Sequence, residues 1–311
     1  MKNRGELQDD VNVRWIRKES ARTTMNLLEY PLHKTNSTQY TTIVANAREQ
    51  LHKTGCATFP RFFTPAALEQ SVQNNSVSKA NQAFTTDSYH NAFQLSGIDK
   101  NYQQDHPRNL LMRTKVASIA YDELERQGPL YQLYNDERFV EFVKNVTNKK
   151  EMYRLGDPLG ACTVNVFRPG GFHAWHFDEA EFTTTLCLQQ SEQGGEFEFT
   201  QPLRQDQNIV ECSASVAAVI NAHSCYNAAC GESSLPTVST TTAEFQPGTL
   251  QIFAGRYSFH RVKPVPETAT KDRLVAVLCF ASEPGVVNSP DVQEMFWGRV
   301  KSNTSCQSAK L

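Results

Sequence analysis

No stretch of this sequence is apolar enough for long enough to cross a bilayer. The N-terminal run MKNRGELQDDVNVRWIRKES lacks the apolar core of a secretory signal, and its early acidic residues do not suit a transit peptide. The expectation is a soluble, cytoplasmic protein. An excess of either charge is also missing. A formal net charge of −2 over 311 residues removes the electrostatic reason to expect DNA, RNA or an anionic membrane as partner. No CxxC pair occurs among the 8 cysteines, and without a secretory signal their default state is the reduced thiol. Cys212, Cys225 and Cys230 cluster, with His223 between the first two, but their spacing matches no standard zinc pattern. Surface thiols on a loop are the expectation there; a small zinc site, or a local disulfide in an oxidising compartment, is the alternative. No internal repeat is evident, and nothing in the sequence fixes the oligomeric state.

What is present is enough apolar material, 39% of residues, for one large domain or two small ones. Residues 1–40 are polar and aperiodic, and read as an arm. The region 41–149 reads as mostly helical support. TTIVANAREQLHK predicts a helix over 41–53 ended by Gly55. A short β-like piece then precedes a helix start with Thr64 as N-cap, Pro65 at the first position and Glu69 in the first turn. Further helices are predicted over about 114–126 and 136–146. From about 150 the texture changes. ACTVNVFRPGG, FTTTLCLQQ, GEFEFT, GTLQIFAG and RLVAVLCFAS are short β-branched and aromatic runs between turn residues. They predict a mainly β fold, a sandwich or jelly roll rather than a parallel α/β sheet, over about 150–290. A Ser/Thr/Ala/Cys-rich insertion at about 212–243, helical in its middle, interrupts it, and 291–311 form a C-terminal tail.

The chemistry concentrates in HAWHFDEAEFTTTLCL, residues 173–188. In a strand, residues two apart share a face, so His176 and Asp178 can aim an imidazole and a carboxylate at one point. His173 has the opposite parity if the strand reaches it. Taken alone, His-x-Asp is better explained by an ordinary hydrogen-bonded strand pair. The run PGTLQIFAGRYSFHRVKPV changes that balance, because it places His260 at the end of a second strand, and Arg273 opens another. Two histidines and one carboxylate form the facial triad of non-haem Fe(II) sites, with coordination positions left open. A 2-oxo acid with a distal carboxylate needs a cation, which a planar guanidinium supplies bidentately.

With HFD at 176–178, PGTLQIFAGRYSFHRV at 247–262 and Arg273, the chain resembles the Fe(II)/2-oxoglutarate-dependent oxygenases over about residues 150–285. The resemblance implies a double-stranded β-helix (jelly-roll) core. It assigns Fe(II) to His176, Asp178 and His260, and the co-substrate 2-oxoglutarate to Arg273, with O2 as oxidant. Asn165 is a second candidate for the co-substrate, against a plain strand-edge hydrogen bond. The phrases WHFDEAEFTTTLCLQ and GGEFEF further resemble a subgroup that hydroxylates or halogenates free amino acids. Its halogenases carry Gly where this chain has Asp178, so the carboxylate favours hydroxylation, desaturation or ring closure over halogenation. Algal kainoid synthases, which close a ring on an N-prenylated glutamate, look similar in the triad. The resemblance also nominates substrate contacts: His173, Arg113 as a carboxylate clamp, Glu179 for an ammonium, Trp297 as pocket wall and Arg256 as a second carboxylate contact. The ordinary readings are a solvated helix face for Arg113, a surface turn for Glu179, a core contact for Trp297 and a surface salt bridge for Arg256. A nucleic-acid- or protein-modifying oxygenase and a non-catalytic jelly-roll binding module are the competing classes.

Overall fold

The computed structural model describes residues 23–76, 78–204, 213–224 and 237–301. Helix α1 (Thr38–Thr54) begins at Ser37, whose hydroxyl accepts from Tyr40 N–H, and ends at Gly55, where φ is 83°. Tyr40, Val44, Ala47 and Leu51 form its buried face, the spacing of a one-sided helix. Strand β1 (Cys56–Phe59) leads to α2 (Pro65–Ser76) and α3 (Ser78–Gln82). Thr64 caps α2 through Ala67 N–H, as expected, but the first turn holds no acid and Glu69 falls just past it.

The helix expected over 114–126 is a strand. After β2 (Phe84–His90) comes β3 (Met112–Ile119), whose residues Met112 to Ser118 pair antiparallel with the whole of β2, then one 3-10 turn at Tyr121–Glu123. Thr114, Val116 and Ile119 suit a pleated surface, and pairing on both flanks outweighs the helix preference of Arg, Lys and Ala. The region 41–149 therefore contributes three strands besides its helices, which continue with α4 (Pro129–Tyr134) and α5 (Glu137–Thr147). Asp136 caps α5 through Arg138 N–H.

The remaining strands are β4 (Tyr153–Arg154), β5 (Cys162–Phe167), β6 (His173–His176), β7 (Phe182–Gln189), β8 (Phe197–Pro202), β9 (Thr240–Thr242), β10 (Leu250–Phe253), β11 (Ser258–Val262) and β12 (Arg273–Ala281). They form two facing antiparallel sheets. The larger has the order β1-β10-β7-β12-β5-β3-β2, with β4 on the end of β12; the smaller has the order β6-β11-β8-β9. Strands β5 to β12 alternate between the sheets except at β8 and β9, which pair as neighbours in the smaller one, and the expected jelly-roll class holds. The insertion is helical at α6 (Ser213–Ser224), and α7 (Pro290–Trp297) follows the last strand. The cysteine cluster's Cys212, Cys225 and Cys230, the side chain of His223, and residues 1–22 of the N-terminal arm lie outside the described residues. No helix among the described residues is long and apolar enough to cross a membrane.

Strand β12 shows why RLVAVLCF reads as unbroken apolar sequence. Leu274, Ala276, Leu278 and Phe280 pack into the core beneath the helices. Arg273, Val275, Val277 and Cys279 line the cavity between the sheets. Both faces are covered, so neither can be polar by default. Behind the larger sheet, α1 and α5 close on an aromatic cluster. Phe142 stacks on Phe62 at 5.9 Å and meets Phe59 edge-on at 5.0 Å. Phe142 is wholly buried, so Phe142→Ala is expected to lower the unfolding free energy by about 3–5 kcal/mol. Urea titration of parent and variant measures the difference.

Candidate metal centre

His176 ends β6, and His260 pairs with it from β11. Asp178 lies past the strand end, so strand parity does not aim its side chain. Its position is set by a turn in which Asp178 N–H donates to Gly255 O at 3.0 Å. The result is convergence on one carboxylate oxygen: Asp178 Oδ1 is 3.4 Å from His176 Nε2 and 3.3 Å from His260 Nε2. The three ligand atoms all lie within 4.8 Å of one another. The other ring nitrogens are occupied, since Nδ1 of His176 donates to Ala174 O at 2.8 Å and Nδ1 of His260 to Ser258 O at 2.9 Å. That choice of tautomer leaves both Nε2 lone pairs directed inward, the arrangement a metal ligand needs. Asp178 Oδ2 accepts from Thr183 Oγ1 at 2.7 Å, which leaves Oδ1 for the centre.

Burial, followed by the neighbouring His260, pushes His176 down to about 4, so its imidazole is neutral near pH 7. Burial disfavours the Asp178 anion, but His260 and His176 more than offset it and hold the carboxyl well below its ordinary range. The donor set is therefore two imidazole nitrogens and an ionised carboxylate, and it fits a divalent first-row metal. Gly255 makes room for it, because a Cβ there would overlap the Asp178 carboxylate.

His173 and His176 stand three residues apart and would face opposite ways in a regular strand. Val262 pairs with His173 and His260 with His176, which is two steps on β11 against three on β6. The extra residue forms a bulge that turns both imidazoles to the same side. They stack with centroids 3.7 Å apart and planes at 16°. The opposite parity expected for His173 is thereby corrected. Its Nε2 is buried and has no hydrogen-bond partner, and burial, with the neighbouring histidines, holds its pKa well below the ordinary value.

Arg273 opens β12 opposite Phe167 and is only 4% exposed. No acid pairs with it among the described residues, Nη1 has no hydrogen-bond partner, and its guanidinium lies over Phe167 at 5.3 Å. Burial pushes it down to about 10, which still leaves it a cation at neutral pH. A buried, unpaired guanidinium is costly unless a ligand anion completes it. Gly195, with φ of 72°, gives its stem room, since a Cβ there would come within 2.7 Å of Arg273 Cδ.

Arg273, His173 and the three candidate ligands line one cavity of about 140 Å³. Asn165 lines it too, accepting from Ser118 Oγ at 3.0 Å. Trp297 forms part of its wall and has a buried indole N–H without a partner. The other nominated residues are differently employed. Arg113 is exposed on the β2–β3 ladder in a bidentate pair with Asp87 at 2.7 and 2.8 Å, and does not line the cavity. Glu179 reaches the cavity edge, but its carboxylate accepts from Ser289 N at 2.9 Å and Ser289 Oγ at 2.7 Å, fastening the start of α7. Arg256 donates to the Glu179 carbonyl oxygen instead of facing the cavity. Thr183, Gly255, Gly195 and Gln94 escaped the sequence reading. The glycines sit at strand ends where a close approach is a natural suspicion, whereas Gln94 is too far along the chain from the ligands to signal anything.

No family model matches the chain, and no curated protein matches it by sequence. Solved structures do. The non-haem α-ketoglutarate-dependent epimerase SnoN from nogalamycin biosynthesis is 10% identical, with 78% of this chain and 84% of that one covered and a TM-score of 0.50. A 2OG-Fe(II) oxygenase family protein from Burkholderia pseudomallei is 14% identical, covering 78% and 92%, with a TM-score of 0.45. A prolyl-4-hydroxylase from Pseudomonas putida is 14% identical, covering 76% and 97%, with a TM-score of 0.40. At such identities the likeness to the epimerase is one of fold: this chain has the jelly roll on which that α-ketoglutarate-dependent protein is built.

Gly255→Ala is expected to weaken Co(II) or Fe(II) affinity by about tenfold or more while the far-ultraviolet dichroism stays unchanged. His260→Ala, which removes a ligand outright, is expected to weaken it further. Calorimetric titration of the apo chain measures both.

Proposed function

We propose that this protein is a non-haem iron, 2-oxoglutarate-dependent oxygenase that oxidises a C–H bond of a free amino acid or an amino-acid-derived small molecule. The observation that carries this reading is the convergence of His176, Asp178 and His260 in the same cavity as the unpaired, buried Arg273. A metal alone would not need that guanidinium. A metal together with a small dianionic co-substrate accounts for both features.

In this reading His176, Asp178 and His260 hold Fe(II). Arg273 takes the distal carboxylate of 2-oxoglutarate, with Asn165 and its partner Ser118 beside it on adjoining strands. Iron so held supplies oxidising power from O2 as 2-oxoglutarate is decarboxylated to succinate and CO2. The chain's own residues bind, orient and exclude water. Phe197, Phe253, Phe296 and Val292 give the cavity a largely apolar lining, which protects a reactive site from solvent. His173 and Trp297 bring hydrogen-bonding groups that the protein leaves unsatisfied, and they are the residues that orient the substrate. Intact Asp178 occupies the position a halide would need, which favours hydroxylation, desaturation or ring closure over halogenation.

An N-prenyl glutamate, the kainoid-type substrate, would require cations for its several carboxylates. Among the described residues lining the cavity Arg273 is the one cation, and Arg113 and Arg256 are engaged elsewhere. The prenylated diacid therefore enters the test as one member of a panel beside less acidic amino acids.

Anaerobic loading with Fe(II) and 2-oxoglutarate, then air exposure with amino acids and N-alkyl glutamates, tests the proposal. Succinate in stoichiometry with one new product is expected. A panel that never raises succinate above background counts against the amino-acid assignment, and a chain without Fe(II) affinity would leave a non-catalytic binding module. Arg273→Leu is expected to raise the half-saturating 2-oxoglutarate concentration on the order of a hundredfold, because it removes one partner of a buried charge pair.

A further inference from the structure

The turn that carries two of the three ligands is held from outside by a segment with no part in the ligand set. Ala174 falls inside the β6 bulge, where it has no partner in the ladder to β11. Its N–H instead donates to Thr114 Oγ1 at 3.0 Å, and its carbonyl accepts Nδ1–H of the ligand His176. Both polar groups that the bulge releases are thus satisfied, one by Thr114 and one by the ligand itself.

Thr114 is fixed in turn. Its hydroxyl lies 2.6 Å from His90 Nε2, while His90 Nδ1 lies 2.8 Å from Asn91 O. A carbonyl can only accept, so Nδ1 carries the proton and Nε2 accepts from the Thr114 hydroxyl. That leaves the Thr114 oxygen free to accept from Ala174 and gives the chain of bonds one consistent direction. His90 and Thr114 are both fully buried.

The loop that follows His90 at the end of β2 grips the turn a second time. Phe177, between the two ligands, donates its N–H to Ala92 O at 2.9 Å and accepts at its carbonyl from Gln94 Nε2 at 2.9 Å. Gln94 holds a left-handed backbone, φ 59°, which a residue with a side chain adopts only when its surroundings impose it. Here Asn91 imposes it, accepting at Oδ1 from Phe93 N and Leu95 N and at its carbonyl from Gln94 N. Gln94 also lines the cavity.

We propose that Thr114, backed by His90, and Gln94 are positioning residues that hold the turn from Ala174 to Asp178 in its ligating shape. Without the Thr114 hydroxyl, Ala174 N–H loses its partner in a partly buried bulge. The strand then gains by re-pairing regularly, which would carry His176 or His173 off the common face. Without the Gln94 amide, the carbonyl between the two ligands loses its buried partner.

The inference rests on the metal assignment above, and its test reads metal affinity without turnover, using Co(II) alone. Thr114→Val keeps the shape and removes the hydroxyl, and the dissociation constant for Co(II) is expected to rise about tenfold or more, the effect of losing an outer partner of a metal ligand. Thr114→Ser keeps the hydroxyl and is expected to stay within about threefold of the parent. Should Thr114→Val be insoluble, Gln94→Met probes the clamp from its other side, with the same expected rise. Co(II) affinity unchanged in either soluble variant, with only a lower Tm, makes these residues general support and overturns the proposal. A parent chain that binds no Co(II) overturns the metal assignment as well, and so is distinguishable from failure of the clamp alone.

Discussion

Three electron-rich atoms crowd one point in this molecule. His176 Nε2 and His260 Nε2 approach Asp178 Oδ1 at 3.4 and 3.3 Å, with the Nδ1 protons of both rings already committed to backbone carbonyls. Lone pairs brought this close inside a protein repel unless a cation, a metal ion or an imidazole proton, sits among them, and burial strengthens that repulsion. The surrounding architecture serves to hold the three atoms there. A bulge turns β6, a glycine vacates the space beside Asp178, Thr183 fixes the second carboxylate oxygen, and the loop after β2 grips the turn from behind. A site so strongly constrained is the place where strain and buried polar groups are expected to collect.

The same logic extends to the opposite sheet. Arg273 opens β12 with aromatic rings beside it and, among the described residues, no acid within ion-pair distance. A guanidinium and a metal site in one cavity select a ligand that carries an anionic end and a chelating end, which is what 2-oxoglutarate offers. The jelly roll makes this pairing cheap to build. The candidate metal ligands come from the smaller sheet and the turn that follows β6, the guanidinium proposed to bind the anion comes from the larger sheet, and the cavity lies between the sheets. The C-terminal helix α7 walls that cavity with Phe296 and Trp297. Asp157 anchors it, accepting from Asn288 N and Gln293 Nε2, and Glu179 anchors it through Ser289.

Much of this was legible in the residues. Short β-branched runs marked the strands of the jelly roll, and HFD with His260 and Arg273 marked the site, because each is a local signal. What could not be read depended on partners distant in sequence. The segment around Thr114 carries helix formers, and only its pairing to β2 and β5 makes it a strand. The parity rule misplaced His173 because a bulge leaves no mark in the letters HAWH. The resemblance nominated Arg113 and Glu179 as substrate contacts, whereas in the structure Arg113 pairs with Asp87 and Glu179 with Ser289. Gln94 and Thr114 gave no sign at all, since each works through a single peptide group far along the chain, at Phe177 in the turn after β6 and at Ala174 within β6.

The central claim is that one cavity binds a metal and a 2-oxo acid together, and one optical measurement addresses it directly. Fe(II) and 2-oxoglutarate are added anaerobically to the apo chain, separately and then jointly, and the visible absorption is followed. A 2-oxo acid chelating protein-bound Fe(II) gives a charge-transfer band that neither component gives alone. The account predicts such a band with the parent chain, its loss in His176→Ala, and its appearance only at much higher 2-oxoglutarate in Arg273→Leu. No band at saturating concentrations, or a band indifferent to both substitutions, would contradict it.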